Sequence, residues 1–129
     1  MPLLNSFLVL TSITLEFSTD FIKSDGLTHL RELGFENDKI LAFKDITPQA
    51  PVHILIIPKK RIKTVNDISS SNINLIGELI YTAKKISKDM GFSSNGYRLT
   101  INCGDDGCQT VDHLHLHLLA GRKFIWPPG

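Results

Sequence analysis

Cysteine is scarce in this chain: Cys103 and Cys108 are the only two in 129 residues. That excludes a disulfide framework, and the spacing in "CGDDGC" lacks the second pair that a structural zinc site needs. The expected state is two free thiols in a reducing compartment, with a bridge across that turn left open. Charge of one sign is lacking too, since 14 Lys and Arg face 13 Asp and Glu for a formal net charge of +1. No basic footprint for nucleic acid exists, and the one cluster, Lys59-Lys60-Arg61 with Lys63, reads as a solvated loop. The opening "MPLLNSFLVLTSITLEF" is apolar but has no Lys or Arg before Lys23 and no Ala before Ala42. It therefore lacks the basic start and small-residue exit of a signal peptide. It is also too short and too polar to span a bilayer. Repeats and low-complexity tracts are absent, and a hydrophobic fraction of 42% suits one soluble domain.

What is present alternates between strand and helix patterns. Residues 15–23 are loosely alternating and read as a strand. "SDGLTHLRELG" reads as a short helix, with Ser24 or Asp25 as cap, Leu27, Leu30 and Leu33 on one face, and Gly34 as stop. "KILAFK" (39–44) and "VHILII" (52–57) read as strands joined by a connector stiffened by Pro48 and Pro51. The period near 3.6 in Ile73, Ile76, Leu79, Ile80, Ala83, Ile86 and Met90 predicts a helix over 71–90 whose stripe packs into the core. Ser69 to Ser71 offer its caps, and Gly91 its end. "YRLTIN" reads as a strand before the turn "GDDG". The fold class expected is α+β, an antiparallel sheet with one long helix and a short N-terminal helix.

The segment "VDHLHLHLL" (111–119) carries the chemistry. Read as the last strand, it projects His113, His115 and His117 to one face and Leu114, Leu116 and Leu118 to the other. The leucines fix the register, because a slip of one residue would bury the imidazoles. Neighbouring imidazoles on such a face start about 6.6 Å apart at Cα, so two could share a metal but three on a flat strand could not. A zinc site would need His53, an aspartate or a cysteine brought in by the fold. Nucleophilic catalysis fits the row better: a neutral imidazole attacks phosphorus well if one ring nitrogen is protonated and held while the other offers its lone pair. The flanking rings could then bind phosphoryl oxygens and pass a proton to the leaving group.

His113-Leu114-His115-Leu116-His117-Leu118-Leu119 resembles the signature of the histidine triad (HIT) superfamily at every position. With "AFKDITPQAPVHILIIPKK" (42–60), "NCGDDGCQTVDHLHLHLLAGR" (102–122) and the terminal "WPPG", the resemblance is to the Hint branch, the histidine triad nucleotide-binding proteins. It covers 35–129 as a HIT domain. Residues 1–34 diverge: the apolar motif that the family's short helix carries for the base pocket is not recognisable in them. The resemblance implies a cytoplasmic homodimer, found in the nucleus also, that binds purine nucleotides (AMP or GMP) and hydrolyses their phosphoramidates without metal or organic cofactor. It implies His115 as nucleophile, His113 and His117 on phosphate oxygens with His117 protonating the leaving amine, and His53 in the same proton network. Asn102, Gln109 and Thr110 would meet phosphate or leaving group. Asp45 would hold the ribose hydroxyls, with Phe43 and Ile46 beside the nucleoside. Trp126 would act on substrate choice across the dimer. Thr110 replaces the branch's usual serine, and Cys108 a glycine. The alternatives are a nucleotide-responsive scaffold with little turnover, a Fhit-like dinucleoside polyphosphate hydrolase (against which the WPPG end argues), and a zinc-binding protein.

Overall fold

Among the described residues, short β-rich segments and one long amphipathic helix are built around a single sheet. The computed structural model describes residues 35–129. Both the strand expected at 15–23 and the helix expected at 24–34 lie outside them. Among the described residues, five strands run β1 (Phe35–Glu36), β2 (Ile40–Lys44), β3 (Val52–Pro58), β4 (Arg98–Ile101) and β5 (Leu116–Ala120), and one long helix, α1 (Ile73–Asp89), lies between β3 and β4. The sheet order is β1-β2-β3-β5-β4 with every pair antiparallel, as expected for an α+β chain with short connections.

Local chemistry explains the turns. Asn37 ties the β1–β2 hairpin by accepting the Lys39 and Ile40 amides, each at 2.8 Å, with its Oδ1. Between β2 and β3, Asp45 Oδ1 accepts the Thr47 amide at 2.8 Å, an Asx turn. The helix α1 stops where Gly91 takes φ +86°, a left-handed conformation that glycine adopts without penalty. The Phe92 amide then reaches back to the Ser87 carbonyl at 3.1 Å. The serines before α1 do not cap it: Asn72 precedes the helix, and its Oδ1 takes the Ser69 amide at 2.8 Å instead.

Leu79, Ala83 and Ile86 of α1 pack on Ile54 and Ile56 of β3 and on Leu116 and Leu118 of β5, joined by Ile40, Ala42, Ile62 and Leu114. The three leucines of the histidine segment thus face the helix, as their alternation predicts. The helical stripe is narrower than its periodicity suggests. Ile73, Ile80 and Met90 are about half exposed, because Ile73 and Ile80 lie roughly 100° around the helix from the buried arc and Met90 follows its end. Leu118 is fully buried, so Leu118→Ala is expected to cost about 2–5 kcal/mol of unfolding free energy in urea titrations, through lost burial and a cavity.

Candidate active site

The opposite face of β3 and β5 carries the histidines. His117 stands on β5 between Leu55 of β3 and Thr100 of β4, and His53 stands on β3 opposite Leu119. His113 and His115 precede the strand, which starts at Leu116 and not at Val111 as the pattern suggests. The cause is backbone pairing outside the sheet: the His113 amide bonds the Val111 carbonyl at 2.8 Å and the Leu114 amide the Ile62 carbonyl at 2.7 Å. Even so, the side-chain alternation persists. The His115 ring lies 5.0 Å from that of His117 between centroids, and His117 lies 5.1 Å from His53.

Fixed main-chain groups determine which nitrogen of each ring carries the proton. His115 Nδ1 is 2.7 Å from the His113 carbonyl. A carbonyl can only accept, so Nδ1 is protonated and the neutral ring keeps its lone pair on Nε2. His113 Nε2 likewise donates to the Pro58 carbonyl at 2.8 Å. The Gln49 amide can only donate, and it reaches His53 Nδ1 at 3.0 Å. His53 therefore bears its proton on Nε2, which lies 2.9 Å from His117 Nδ1 and 3.5 Å from Asp45 Oδ2. With Nδ1 accepting, neutral His117 carries its proton on Nε2. That atom is buried and has no hydrogen-bond partner among the described residues. An unsatisfied buried donor costs about 1–3 kcal/mol, and an oxygen or nitrogen acceptor of a ligand would relieve the cost.

Burial keeps all four rings neutral at physiological pH. Desolvation lowers His53 and His113 from 6.5 to about 4 each and lowers His115. His117 falls to about 3, chiefly through desolvation and then through the neighbouring His115 and His53. An unprotonated Nε2 on His115 and a protonated Nε2 on the adjacent His117 ring are the groups that a nucleophile–acid pair requires.

The other expected site residues are less uniformly placed. Asp45 is buried and committed on one oxygen to Thr47. Phe43 is buried in β2, while Ile46 is 45% exposed. Gln109 ties its loop to the segment after β3: Nε2 donates to the Lys63 and Val111 carbonyls at 2.8 and 2.9 Å, and Oε1 accepts the Gly104 amide at 3.1 Å. This loop is tightly wound. A Cβ on Gly107 would stand 2.5 Å from the Cys103 carbonyl oxygen, and Cys108 takes φ +65° where the branch's glycine would be at ease. Both cysteines are free thiols. Asn102 is half-buried and Thr110 exposed at the two ends of the loop, and Trp126 is 82% exposed in the tail. The Gln49 amide and the Pro58 and His113 carbonyls escape sequence reading, since main-chain groups leave no residue-type signal.

A metal could be sought at Asp45, His53 and His117, whose ligand atoms lie within 4.8 Å of one another. The fit is poor. The two imidazole nitrogens are 2.9 Å apart and share a proton; at Zn–N bonds of about 2.0–2.1 Å they would subtend roughly 90° in place of the tetrahedral angle.

The depressed histidines have a consequence for stability. Each binds its proton more weakly folded than unfolded, so between about 4 and 6.5 the unfolded chain holds more protons and stability rises with pH. The stabilisation is fully present above pH 6.5 and declines on acidification toward pH 4. Melting temperatures across this range are expected to fall steadily with acid, and histidine NMR titrations are expected to show no protonation of His53, His113 or His117 above about pH 5. A midpoint near 6.5 for these rings would contradict the burial.

Comparison with known proteins agrees with this geometry. The HIT domain family matches residues 31–124. The chain is 50% identical over 97 residues to "Adenylylsulfatase HINT1" of Arabidopsis thaliana, covering 74% of this chain and 65% of that protein. Thus it spans slightly less than two thirds of that relative's length. It is 50% identical over 97 residues to the "14 kDa zinc-binding protein" of Brassica juncea, covering 74% and 85%. Among solved structures, a HIT family hydrolase from Legionella pneumophila Philadelphia 1 superposes with a TM-score of 0.72 at 52% identity, covering 74% of this chain and 85% of that one. The histidine triad nucleotide-binding protein of Candida albicans gives 0.60 at 31%, covering 71% of each. Family model, sequence relatives and fold agree that the chain belongs to the HIT domain family.

Proposed function

We propose that this protein is a purine nucleoside phosphoramidase that works through a nucleotidyl-histidine intermediate. The observation that carries the reading is the buried, unpartnered His117 Nε2–H on the ring next to His115, whose Nε2 is the unprotonated nitrogen. In the first half-reaction His115 Nε2 attacks the α-phosphorus and the P–N bond breaks. The amine leaves with the proton of His117 Nε2. Attack leaves His115 as a phosphorylated imidazolium, still protonated on Nδ1. Its positive charge, together with the hydrogen bond from His53 Nε2–H to His117 Nδ1, supports the negative charge left on His117. Water then attacks phosphorus, the bond to His115 breaks, and the water's proton returns to His117. Across the two steps, the phosphoramidate and water become an amine and a nucleoside monophosphate. The phosphate contact that the resemblance implies for His113 is not proposed, because its ring is fully buried with Nε2 on the Pro58 carbonyl. His113 acts through its own carbonyl, which holds the His115 tautomer. No metal or organic cofactor enters.

Adenosine and guanosine monophosphates are the nucleotides proposed, with Asp45, Phe43 and Ile46 on the nucleoside side and Asn102 and Thr110 on the phosphate side, where Gln109 shapes the loop between them. A homodimer is proposed through β4, an edge strand among the described residues, and the exposed Ile73, Ile80 and Tyr81 of α1. Its likeness-in-reverse copy would extend the sheet and present Trp126 to the partner's site.

The Arabidopsis relative's name, an adenylylsulfatase, supplies a second leaving group. Sulfate departs without a proton, whereas an amine needs one, so the two substrates separate nucleophile from acid. Wild-type protein is expected to hydrolyse an adenosine phosphoramidate with or without chelator, and His115→Ala to lose at least about a thousand-fold in kcat. His117→Ala is expected to lose about a hundred-fold on the phosphoramidate and much less on adenylyl sulfate. Turnover abolished by chelator would favour the zinc reading named for the Brassica relative. A folded, AMP-binding wild type without turnover would favour a nucleotide-responsive scaffold.

A further inference from the structure

The acid of the proposed reaction depends on a tautomer that no catalytic side chain sets. His53 donates to His117 because the Gln49 amide occupies its Nδ1, at 3.0 Å, while Asp45 Oδ2, 3.5 Å from Nε2, favours a proton on that nitrogen. Gln49 belongs to the connector between β2 and β3, where Pro48 and Pro51 have no amide to anchor the chain. One external contact holds Gln49 by its other peptide group: Arg122 Nη2 donates to the Gln49 carbonyl at 3.1 Å. Arg122 follows β5, next to Gly121, whose φ is +98° and where a Cβ would meet Pro51 Cβ at 2.7 Å. The turn after β5 and the proline connector are therefore in direct contact.

The guanidinium of Arg122 is itself braced. It lies 4.2 Å from the centroid of the Phe124 ring, and Arg98 lies 5.2 Å from the same ring. Arg98 Nη2 also donates to the Ile125 carbonyl at 2.8 Å, which fastens the tail to β4. A continuous set of contacts thus runs from the tail through Phe124, Arg122, Gln49 and His53 to His117.

We infer that Arg122 is a positioning residue, held on Phe124, that fixes the Gln49 peptide and so keeps His53 in the tautomer that leaves a proton on His117 Nε2. Its function rests on the nucleotidyl-histidine reading, but its structural half does not. Arg122 touches no reacting atom. Without its bond the connector is freer, the Gln49 amide spends less time on His53 Nδ1, and His53 can carry its proton on either nitrogen. In the second tautomer His53 Nε2 no longer donates to His117. The acid step then slows while nucleotide binding remains.

Long-range proton–nitrogen spectra of histidine-labelled protein read the tautomer directly and need no substrate. In the wild type and in Arg122→Lys, which retains a donor for the Gln49 carbonyl, His53 is expected to be protonated on Nε2. In Arg122→Ala a mixed tautomer is expected, with kcat for an adenosine phosphoramidate about ten-fold lower and KM within about two-fold. The drop on adenylyl sulfate is expected to be much smaller. Phe124→Ala, which leaves every hydrogen bond in place, is expected to shift the tautomer the same way by less, and it stands in should Arg122→Ala fail to fold. An unchanged His53 tautomer in the variants, or an equal loss of kcat on both substrates, would overturn the inference. A wild type with the expected tautomer but no turnover would instead sink the phosphoramidase reading and leave this positioning role standing.

Discussion

The hydrogen bond between His53 Nε2 and His117 Nδ1, 2.9 Å long and buried between two neutral rings, is the constraint on which the rest of the site depends. Two adjacent neutral imidazoles that share one proton leave a lone pair on one outer nitrogen and a proton on the other, and the fold commits the first of these through rigid backbone. Gln49 gives a proton to one end, and the other end is left with a proton and no partner among the described residues. Burial contributes by discouraging the charged forms, so the pattern of donors and lone pairs persists at neutral pH. Stability and reactivity are in tension here, since an unsatisfied buried donor weakens the free protein but gives an incoming ligand a contact to complete.

Such a pattern needs a stiff support. His53 and His117 stand on adjacent strands, β3 and β5, whose other faces are pinned to α1 by Ile54, Ile56, Leu116 and Leu118. Each of these core residues contributes about 1.5–3 kcal/mol of burial. The same leucines therefore hold the sheet together and aim the imidazoles. His115 lies just before the ladder begins, where the Leu114 amide is tied to the Ile62 carbonyl. Leaving the strand there lets its ring bend onto the His113 carbonyl, a contact that a regular strand would not offer.

Much of this was legible in the sequence because alternation is a local signal. The His–Leu pattern of 113–118 correctly assigns leucines to the core and histidines to the other face, and β2, β3 and α1 fall within two residues of their pattern-based limits. Strand length at the histidines was not legible, since it turns on Ile62, an acceptor some fifty residues away in sequence. The width of the helical stripe was not legible either: Ile73 and Ile80 fit the period, but the sheet beneath α1 covers a narrower arc. Gln109 illustrates a third limit, a residue in the right motif whose polar atoms are all spent on main-chain groups of its own loop and of Lys63. Arg122 and the Gln49 amide left no signal at all, because their bond joins a side chain to main chain across 73 residues.

The most direct test of the account is the stereochemical course at phosphorus. An adenosine phosphoramidate made chiral with sulfur at the α-phosphorus would be hydrolysed in isotopically labelled water, and the configuration of the product determined. Attack by His115 followed by attack of water inverts the centre twice, so net retention is the result expected. Net inversion would mean that water attacks directly, and that the bare nitrogen of His115 is not the nucleophile.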